Sequence, residues 1–288
     1  MSQFDNATSS TGVTLDISYA DLAGANAGQR PDLLTRTGAV YRTPDGKLFS
    51  ELSGQLVRAA AIRPIILAQS AIPVILAPNG TVATNGTITL GTALPVVYAN
   101  AWVRLPAGAV VGGAAGLYYA TFSSTTVGVI TTTFVDPNSM ATPVTPVTTT
   151  IAVGSNAAYT QTINTDINLA NVIVPGGWMG PNGALRFQVY ATVNNTAGSK
   201  TLTGKFSGVY IQASAGGSSI SSNLDCRIKN RGVSSQISHE VRGAIAGLAP
   251  IYSTINTAVD QAFTITALLA TATDCMILED FTVEVLPG

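Results

Sequence analysis

Apolar and polar residues alternate with a period of two along much of the chain. In ALRFQVYATV, residues 184–193, Leu185, Phe187, Val189, Ala191 and Val193 fall on one face of an extended strand, and Arg186, Gln188, Tyr190 and Thr192 on the other. QAFTITALLA, residues 261–270, repeats the pattern, with Phe263, Ile265, Ala267 and Leu269 opposite Thr264 and Thr266. CMILEDFTVEVL, residues 275–286, places Ile277, Phe281, Val283 and Val285 on one face and breaks the alternation at Glu279. β-Branched residues are abundant, and Asn-Gly pairs beginning at Asn79, Asn85 and Asn182 supply turn chemistry. The chain reads as all-β.

One segment is ambiguous. KLFSELSGQLVRAAAI, residues 47–62, spaces Leu48, Leu52, Leu56 and Ala59 as a helix would, but AVYRT and KLFSEL flank the turn-forming PDG. The hairpin is the preferred reading. GGWMGPNG, within PGGWMGPNGALRF (175–187), raises a second question, because glycine-rich loops can cradle phosphate at a helix N-terminus. It has no Gly-x-Gly-x-x-Gly, no Lys-Ser/Thr after its last glycine, and a strand rather than a helix behind it. It is read as the bend between two core strands, with Gly176, Gly177, Gly180 and Gly183 permitting the turns.

Composition narrows the classes. Charged residues make up 10% of the chain, against about 25% in ordinary soluble domains. Twelve of the 29 charged side chains lie in the first 63 positions, and Pro64 to Leu185 contains only Arg104, Asp136 and Asp166. A net charge of −1 provides no field for nucleic acid or anionic lipid, so neither is an expected partner. Arg227, Lys229 and Arg231 read as a solvated strand face. The most apolar stretches, residues 62–78 and 101–120, are interrupted by Pro, Arg or Gln well short of the ~18 apolar residues of a membrane helix, so no membrane insertion is expected. The polar start MSQFDNATSS lacks the regions of a secretory signal, so export by a signal peptide is not expected either.

Candidate chemistry is sparse. Cys226 and Cys275 have no metal-binding spacing and read as buried free thiols. His239 is the single histidine; a metal or acid–base role would need copies from other subunits. GSKT, residues 198–201, resembles the end of a phosphate-binding motif but lacks its upstream glycine and runs into a strand, so it reads as a hairpin tip. Asn-x-Ser/Thr sequons at Asn6, Asn79, Asn85 and Asn194 are read as unglycosylated. Of the acids available for glycoside hydrolysis, Asp274, Glu279, Asp280 and Glu284, two sit on the polar face of a predicted strand. No Gly-x-Ser-x-Gly occurs. The reading is of a protein without catalytic residues, cofactor or metal.

YANAWVRLPAGAVVGGAAGLYYAT and LANVIVPGGWMGPNGALRFQVYAT share Ala-Asn and Tyr-Ala-Thr at the same offset of 71 residues. Either a β-sandwich unit is duplicated or low-complexity β sequence coincides. Duplication implies two tandem antiparallel, jelly-roll-like β-sandwiches, at 61–145 and 146–288, behind an N-terminal segment, 1–60, with DPNSMATPVTPVTTT (136–150) as a stiff linker.

SAIPVILAPNGTVATNGTITLGTALPVVYANAWVRLPAGAV, residues 70–110, followed by AGLYYATFSSTTVG, 115–128, resembles a module of tailed-bacteriophage virion appendages. NLANVIVPGGWMGPNGALRFQVYATVNNTAGSKTL (168–202), NRGVSSQ (230–236) and TDCMILEDFTVEV (273–285) are similar to the β-sandwich knobs that end phage fibres. The resemblance implies a structural virion protein assembled in the host cytoplasm. It implies a homotrimer, anchored to another virion protein by residues 1–60, with the knob-like domain outermost and free to contact a host glycan. It carries over no catalytic residues. Trp178 is the candidate receptor contact, since an indole can stack on a sugar ring, but the preferred expectation is that it packs over the end of its own sandwich.

Overall fold

The computed structural model describes residues 64–70, 72–110, 115–135, 157–216, 221–240 and 250–286, and the backbone of four short strands before them. Those four are β1 (Thr14–Asp16), β2 (Val40–Arg42), β3 (Leu48–Leu52) and β4 (Gln55–Arg58). They form a sheet of their own in the order β1-β2-β3-β4, with β1 parallel to β2 and the rest antiparallel. The described parts of the ambiguous 47–62 segment, β3 and β4, are strand, and β2 and β3 form the pairing expected around PDG, with Val40 opposite Ser50. The expected linker, 136–150, lies outside the described residues.

The remaining strands are β5 (Ile65–Ser70), β6 (Val74–Leu76), β7 (Asn79–Val82), β8 (Thr87–Leu90), β9 (Ala101–Leu105), β10 (Gly116–Phe122), β11 (Val127–Val135) and β12 (Ala157–Thr160). They are followed by β13 (Ile167–Val174), β14 (Ala184–Val193), β15 (Lys200–Phe206), β16 (Val209–Gly216), β17 (Ser221–Asn230), β18 (Gln236–Glu240), β19 (Ile251–Ser253), β20 (Gln261–Leu269) and β21 (Met276–Leu286). The fold is all-β, with no helix among the described residues.

One long sheet runs β12-β7-β8-β11-β10-β9-β6-β21-β14-β17-β18-β19, with β5 also on β21; a second runs β13-β20-β15-β16. The β13-β20-β15-β16 sheet closes a sandwich over the β14–β21 end of the long sheet. Phe187, Val189, Phe206, Phe263, Ile265 and Val283 fill it. Phe187 and Phe263 meet across the layers with ring centroids 4.4 Å apart. A second core, containing Ile75, Ile88, Val103, Tyr118 and Phe122, lies within the β6–β12 end.

The two cores share the middle of the long sheet. On β9, Trp102 belongs to the first core while Ala101, Val103 and Leu105 belong to the second; on β21, Leu278 and Phe281 belong to the first and Ile277 to the second. Strands buried on both faces read as near-continuous apolar runs. That accounts for the hydrophobicity of PVILA, AWVRL and GLYYATF and for the scarcity of charge there.

Two sequence expectations change. Ile277 does not share a face with Phe281, because a bulge intervenes: Tyr190 pairs with Asp280 and Ala191 with Leu278, leaving Glu279 as the extra residue. The side-chain alternation resets there, and the Tyr98 hydroxyl donates a hydrogen bond to the displaced Glu279 carboxylate. The 71-residue repeat is not a structural one. In the first copy β9 pairs with β10 in a single sheet, whereas in the second β13 and β14 lie in different sheets, on β20 and on β17 and β21. Both cores draw residues from either side of 145/146. Ala68, Val74, Leu76, Trp102 and Leu117 join the core dominated by residues 169–285, while Tyr159, Cys275 and Ile277 join the other.

Candidate functional site

The end of the sandwich at which β13 passes to β14 is built from three loops. PGGWMGPNG follows β13, NRGVSS joins β17 to β18, and TINTAVD joins β19 to β20. Backbone bonds tie them together: Gly177 N donates to Thr257 O at 2.8 Å, Gly232 N to Pro181 O at 2.7 Å, and Thr257 N to Val233 O at 2.8 Å.

Buried polar side chains complete the lattice. Asn230 Nδ2 donates to Gly180 O at 2.6 Å and to Thr257 Oγ1 at 2.8 Å, and Thr257 Oγ1 in turn donates to Val233 O at 3.0 Å. Gln236 brackets the third loop: its Nε2 donates to Ile255 O at 2.8 Å while its Oε1 accepts from Ile255 N at 2.8 Å and from Ser253 Oγ at 3.1 Å. The Gln236 side chain, bonded through both its nitrogen and its oxygen, holds one geometry in this low-dielectric interior, whereas Asn230 Oδ1 is buried without a hydrogen-bond partner among the described residues. At the loop's start, Gly176 N donates to Asp260 Oδ1 at 2.8 Å. A Cβ on Gly176 would lie 2.6 Å from Ala258 O and 2.7 Å from Val259 Cα, so the loops can approach this closely only around glycine.

On this frame stand apolar groups that face solvent. Trp178 is 41% exposed, Val233 43%, Val259 53% and Tyr252 66%. Trp178 is thus partly covered by its own chain and partly open to solvent. Its neighbour Met179, 1% exposed, enters the core instead. The Arg231 guanidinium lies 5.8 Å from the centroid of Tyr252, a cation–π contact that steadies the ring. Arg227 and Lys229 face solvent on β17, as their place in the alternation requires. Sequence reasoning missed Val233, Tyr252 and Val259. The available signal was a lone valine inside each of two otherwise polar turns, NRGVSS and NTAVDQ.

The long sheet's solvent face runs down from this end as a polar ladder. Arg186 Nη1 is 3.4 Å from Glu284 Oε1 and its Nε is 3.7 Å from Asp225 Oδ1, while Gln188 Nε2 donates to Asp225 Oδ2 at 3.2 Å. Below it Tyr190, 45% exposed, stands opposite Asp280. Among the candidate acids, Glu284 is thus ion-paired on the sheet face, Glu279 is the bulge residue bound by Tyr98, and Asp280 faces solvent.

Asp274 is fully buried. Its Oδ1 lies 3.3 Å from Lys200 Nζ and accepts from Thr196 Oγ1 at 2.5 Å, and its Oδ2 accepts from Thr271 N at 2.9 Å. Burial pushes its carboxyl up, but the hydroxyl of Thr196, the amide and hydroxyl of Thr271 and the Lys200 ammonium outweigh that and hold it below the ordinary carboxylate value. GSKT is thus half of an internal clasp: Lys200 also donates to Thr196 O at 3.0 Å and Gly198 O at 2.9 Å. The 271–275 loop is gripped from both cores. Asn194 Nδ2 donates to Thr273 O and Asn194 Oδ1 accepts from Cys275 N, both at 2.7 Å, and from the other side Asn79 Nδ2 donates to Ala272 O at 3.2 Å. Two of the sequon asparagines are spent in these contacts.

Cys226 and Cys275 are buried thiols outside any disulfide, one in each core, and burial pushes the Cys275 thiol up to about 11. The backbone of His239 pairs with Arg227. No group of three His, Cys, Asp or Glu side chains is placed to hold a metal ion among the described residues.

No family model and no curated protein matches the chain. Two solved structures are similar at low scores. The CBM2 module of the evolved Dit of Lactobacillus casei BL23 phage J-1 is 10% identical, over 41% of this chain and 69% of that one, with a TM-score of 0.24. The β-fructofuranosidase from Schwanniomyces occidentalis, complexed with fructosyl-erythritol, is 9% identical over 85% and 54%, with a TM-score of 0.15. Likenesses this slight bear on neither fold nor function.

Proposed function

We propose that the chain is a non-enzymatic structural subunit of a bacteriophage virion, a fibre or spike component whose loop end around Trp178 attaches to the host surface. The observation that carries this reading is the exposure of Trp178, Val233, Val259 and Tyr252 on loops fixed by buried Asn230, Thr257 and Gln236. An indole and a phenol presented on a rigid frame lose little conformational freedom on binding and offer flat faces to a sugar ring. The resemblance of residues 70–128 and 168–285 to phage appendage and knob sequences supplies the context. Assembly as a homotrimer in the host cytoplasm, with residues 1–60 docked on another virion protein, follows from it, and several copies engaging together turn a weak contact per subunit into firm adsorption.

The non-enzymatic part of the reading draws on the acids. Asp274 is enclosed with Lys200, and Glu284 with Arg186, which leaves neither as a proton donor beside a glycosidic bond. Purified protein in excess should adsorb to susceptible cells and block infection. Failure to do either at saturating protein removes the attachment role, and release of reducing ends from host polysaccharide removes the non-enzymatic one.

A second reading, a capsid decoration or connector protein, is favoured by one feature: β1 to β4 pair with one another in a sheet of their own, ahead of the two cores in sequence. Copy number separates the two readings, since a decoration protein follows the capsid lattice.

A further inference from the structure

A polar cleft of about 260 Å³ opens where β9 meets the turn leading into β13, away from the loops that carry Trp178. Its lining is Arg104 from β9, Gln161, Thr162, Thr165 and Asp166 from the turn, and Ile167 and Asn168 from the start of β13. The volume lies just under the ~300–1,000 Å³ of pockets for drug-sized ligands, which suits something of the size of a sugar ring.

The walls are fixed before any ligand arrives. Arg104 Nη1 donates to Leu105 O at 2.8 Å and its Nε to Asn168 O at 3.2 Å, so its plane is held across the strand junction. Gln161 Nε2 donates to Arg104 O at 2.7 Å and Gln161 N to Pro78 O at 2.5 Å. The turn is pinned where Asn164 N donates to Leu269 O at 2.9 Å, with Asn164 at a φ of 56°, in the left-handed region that few side chains other than Asn and Asp accept readily. Asp166 Oδ2 meets Lys205 Nζ at 2.5 Å across the sheet edge.

We propose that this cleft binds one uncharged sugar residue. Six of its seven lining residues are polar, and they mix guanidinium, amide, hydroxyl and carboxylate, so donors and acceptors stand side by side. Vicinal sugar hydroxyls, each both donor and acceptor, need that mixture; a phosphate or sulfate needs donors only and would meet the Asp166 carboxylate. The formal charges of the lining, Arg104 and Asp166, cancel, and Lys205 stands behind Asp166 as its ion-pair partner. Among the described lining residues Ile167 is the one apolar wall and none is aromatic, so the ring is held by hydrogen bonds. The inference rests on the attachment reading only for the source of the sugar, a host glycan.

The test uses the full chain and ligand-observed saturation-transfer NMR with D-glucose, D-galactose, N-acetylglucosamine and L-rhamnose, at up to ~50 mM because affinities of order 1 mM are only about −4 kcal/mol. At least one sugar should show saturable transfer. Thr165→Trp, which fills the cleft from an exposed position, should weaken it at least tenfold with an unchanged melting temperature, and Thr162→Trp provides a second blocking variant. Trp178→Ala should leave it intact. No transfer from any of the four sugars, transfer that survives both blocking variants, or stronger competition by inorganic phosphate than by any neutral sugar overturns the proposal. Loss of cleft binding with adsorption through Trp178 intact removes this inference alone, and loss of adsorption with cleft binding intact removes the attachment reading alone.

Discussion

Lys200 Nζ lies 3.3 Å from Asp274 Oδ1, and neither side chain reaches solvent. Their loops stand 74 positions apart in sequence, from 200 to 274, and the ion pair closes the hairpin tip at 194–200 onto the loop that both cores grip. Removing one member leaves a buried charge without its counterion, which costs about 3–5 kcal/mol. Lys200→Met and Asp274→Leu should each destabilise the protein by about that amount in urea denaturation. The double variant should lose far less than the sum, because two apolar side chains can replace a buried pair at small net cost. Additive losses would show that the two residues act independently.

The same pair sets an acid limit. Asp274 is held below its unfolded value of about 3.9, so as pH falls the unfolded chain takes up the proton first and the folded state loses its advantage. The contribution is complete above the unfolded value and disappears once pH drops below the folded one. Stability measured from pH 6 down to pH 2 should fall more steeply in the wild type below about pH 4 than in Asp274→Asn, which starts lower. Parallel curves would contradict the assignment.

Phe187 and Phe263 are packed against Gly204, whose Cβ, if present, would sit 3.0 Å from Phe187 Cε2 and 3.3 Å from Phe263 Cζ. Phe187→Ala opens a cavity between the sheets and should cost about 3–5 kcal/mol. Gly204→Val pushes both rings and should cost about 1–3 kcal/mol. Chemical denaturation of both variants gives the order, and a Gly204→Val protein as stable as the wild type would mean that the rings yield freely.

How much of this was legible in the chain depended on whether a strand has one buried face or two. On β14 and β20, with a single core-facing side, alternation named the buried set correctly: Leu185, Phe187, Val189, Phe263 and Ile265 are all fully buried. On β9 and on residues 276–278 at the start of β21 each face meets a different core, so Trp102 and Ile277 carry no period that assigns them a side, and the bulge at Glu279 resets the phase within β21. The turn character of PGGWMGPNG could be read from its glycines, but which of Trp178 and Met179 enters the core is decided by the neighbouring loops, which no local pattern encodes. The Lys200–Asp274 pair was hidden for the same reason: each partner reads alone as an ordinary surface charge.

Gly176 and Trp178 separate the frame of the loop end from what it presents. Gly176→Ala places a methyl against Ala258 O and Val259 Cα, backbone atoms that cannot turn away, so the first loop must lift from the third. Trp178→Ala removes a partly exposed side chain above a core already sealed by Met179, and its cost should stay near 1 kcal/mol or below. If the loop end is the attachment surface, both variants should lose adsorption to susceptible cells, Gly176→Ala with a lowered melting temperature and Trp178→Ala with one close to wild type. Restoring Trp178→Phe should recover part of the binding, since a smaller ring still offers a face for stacking. Full adsorption by a folded Trp178→Ala protein would place the contact with the host elsewhere on the molecule.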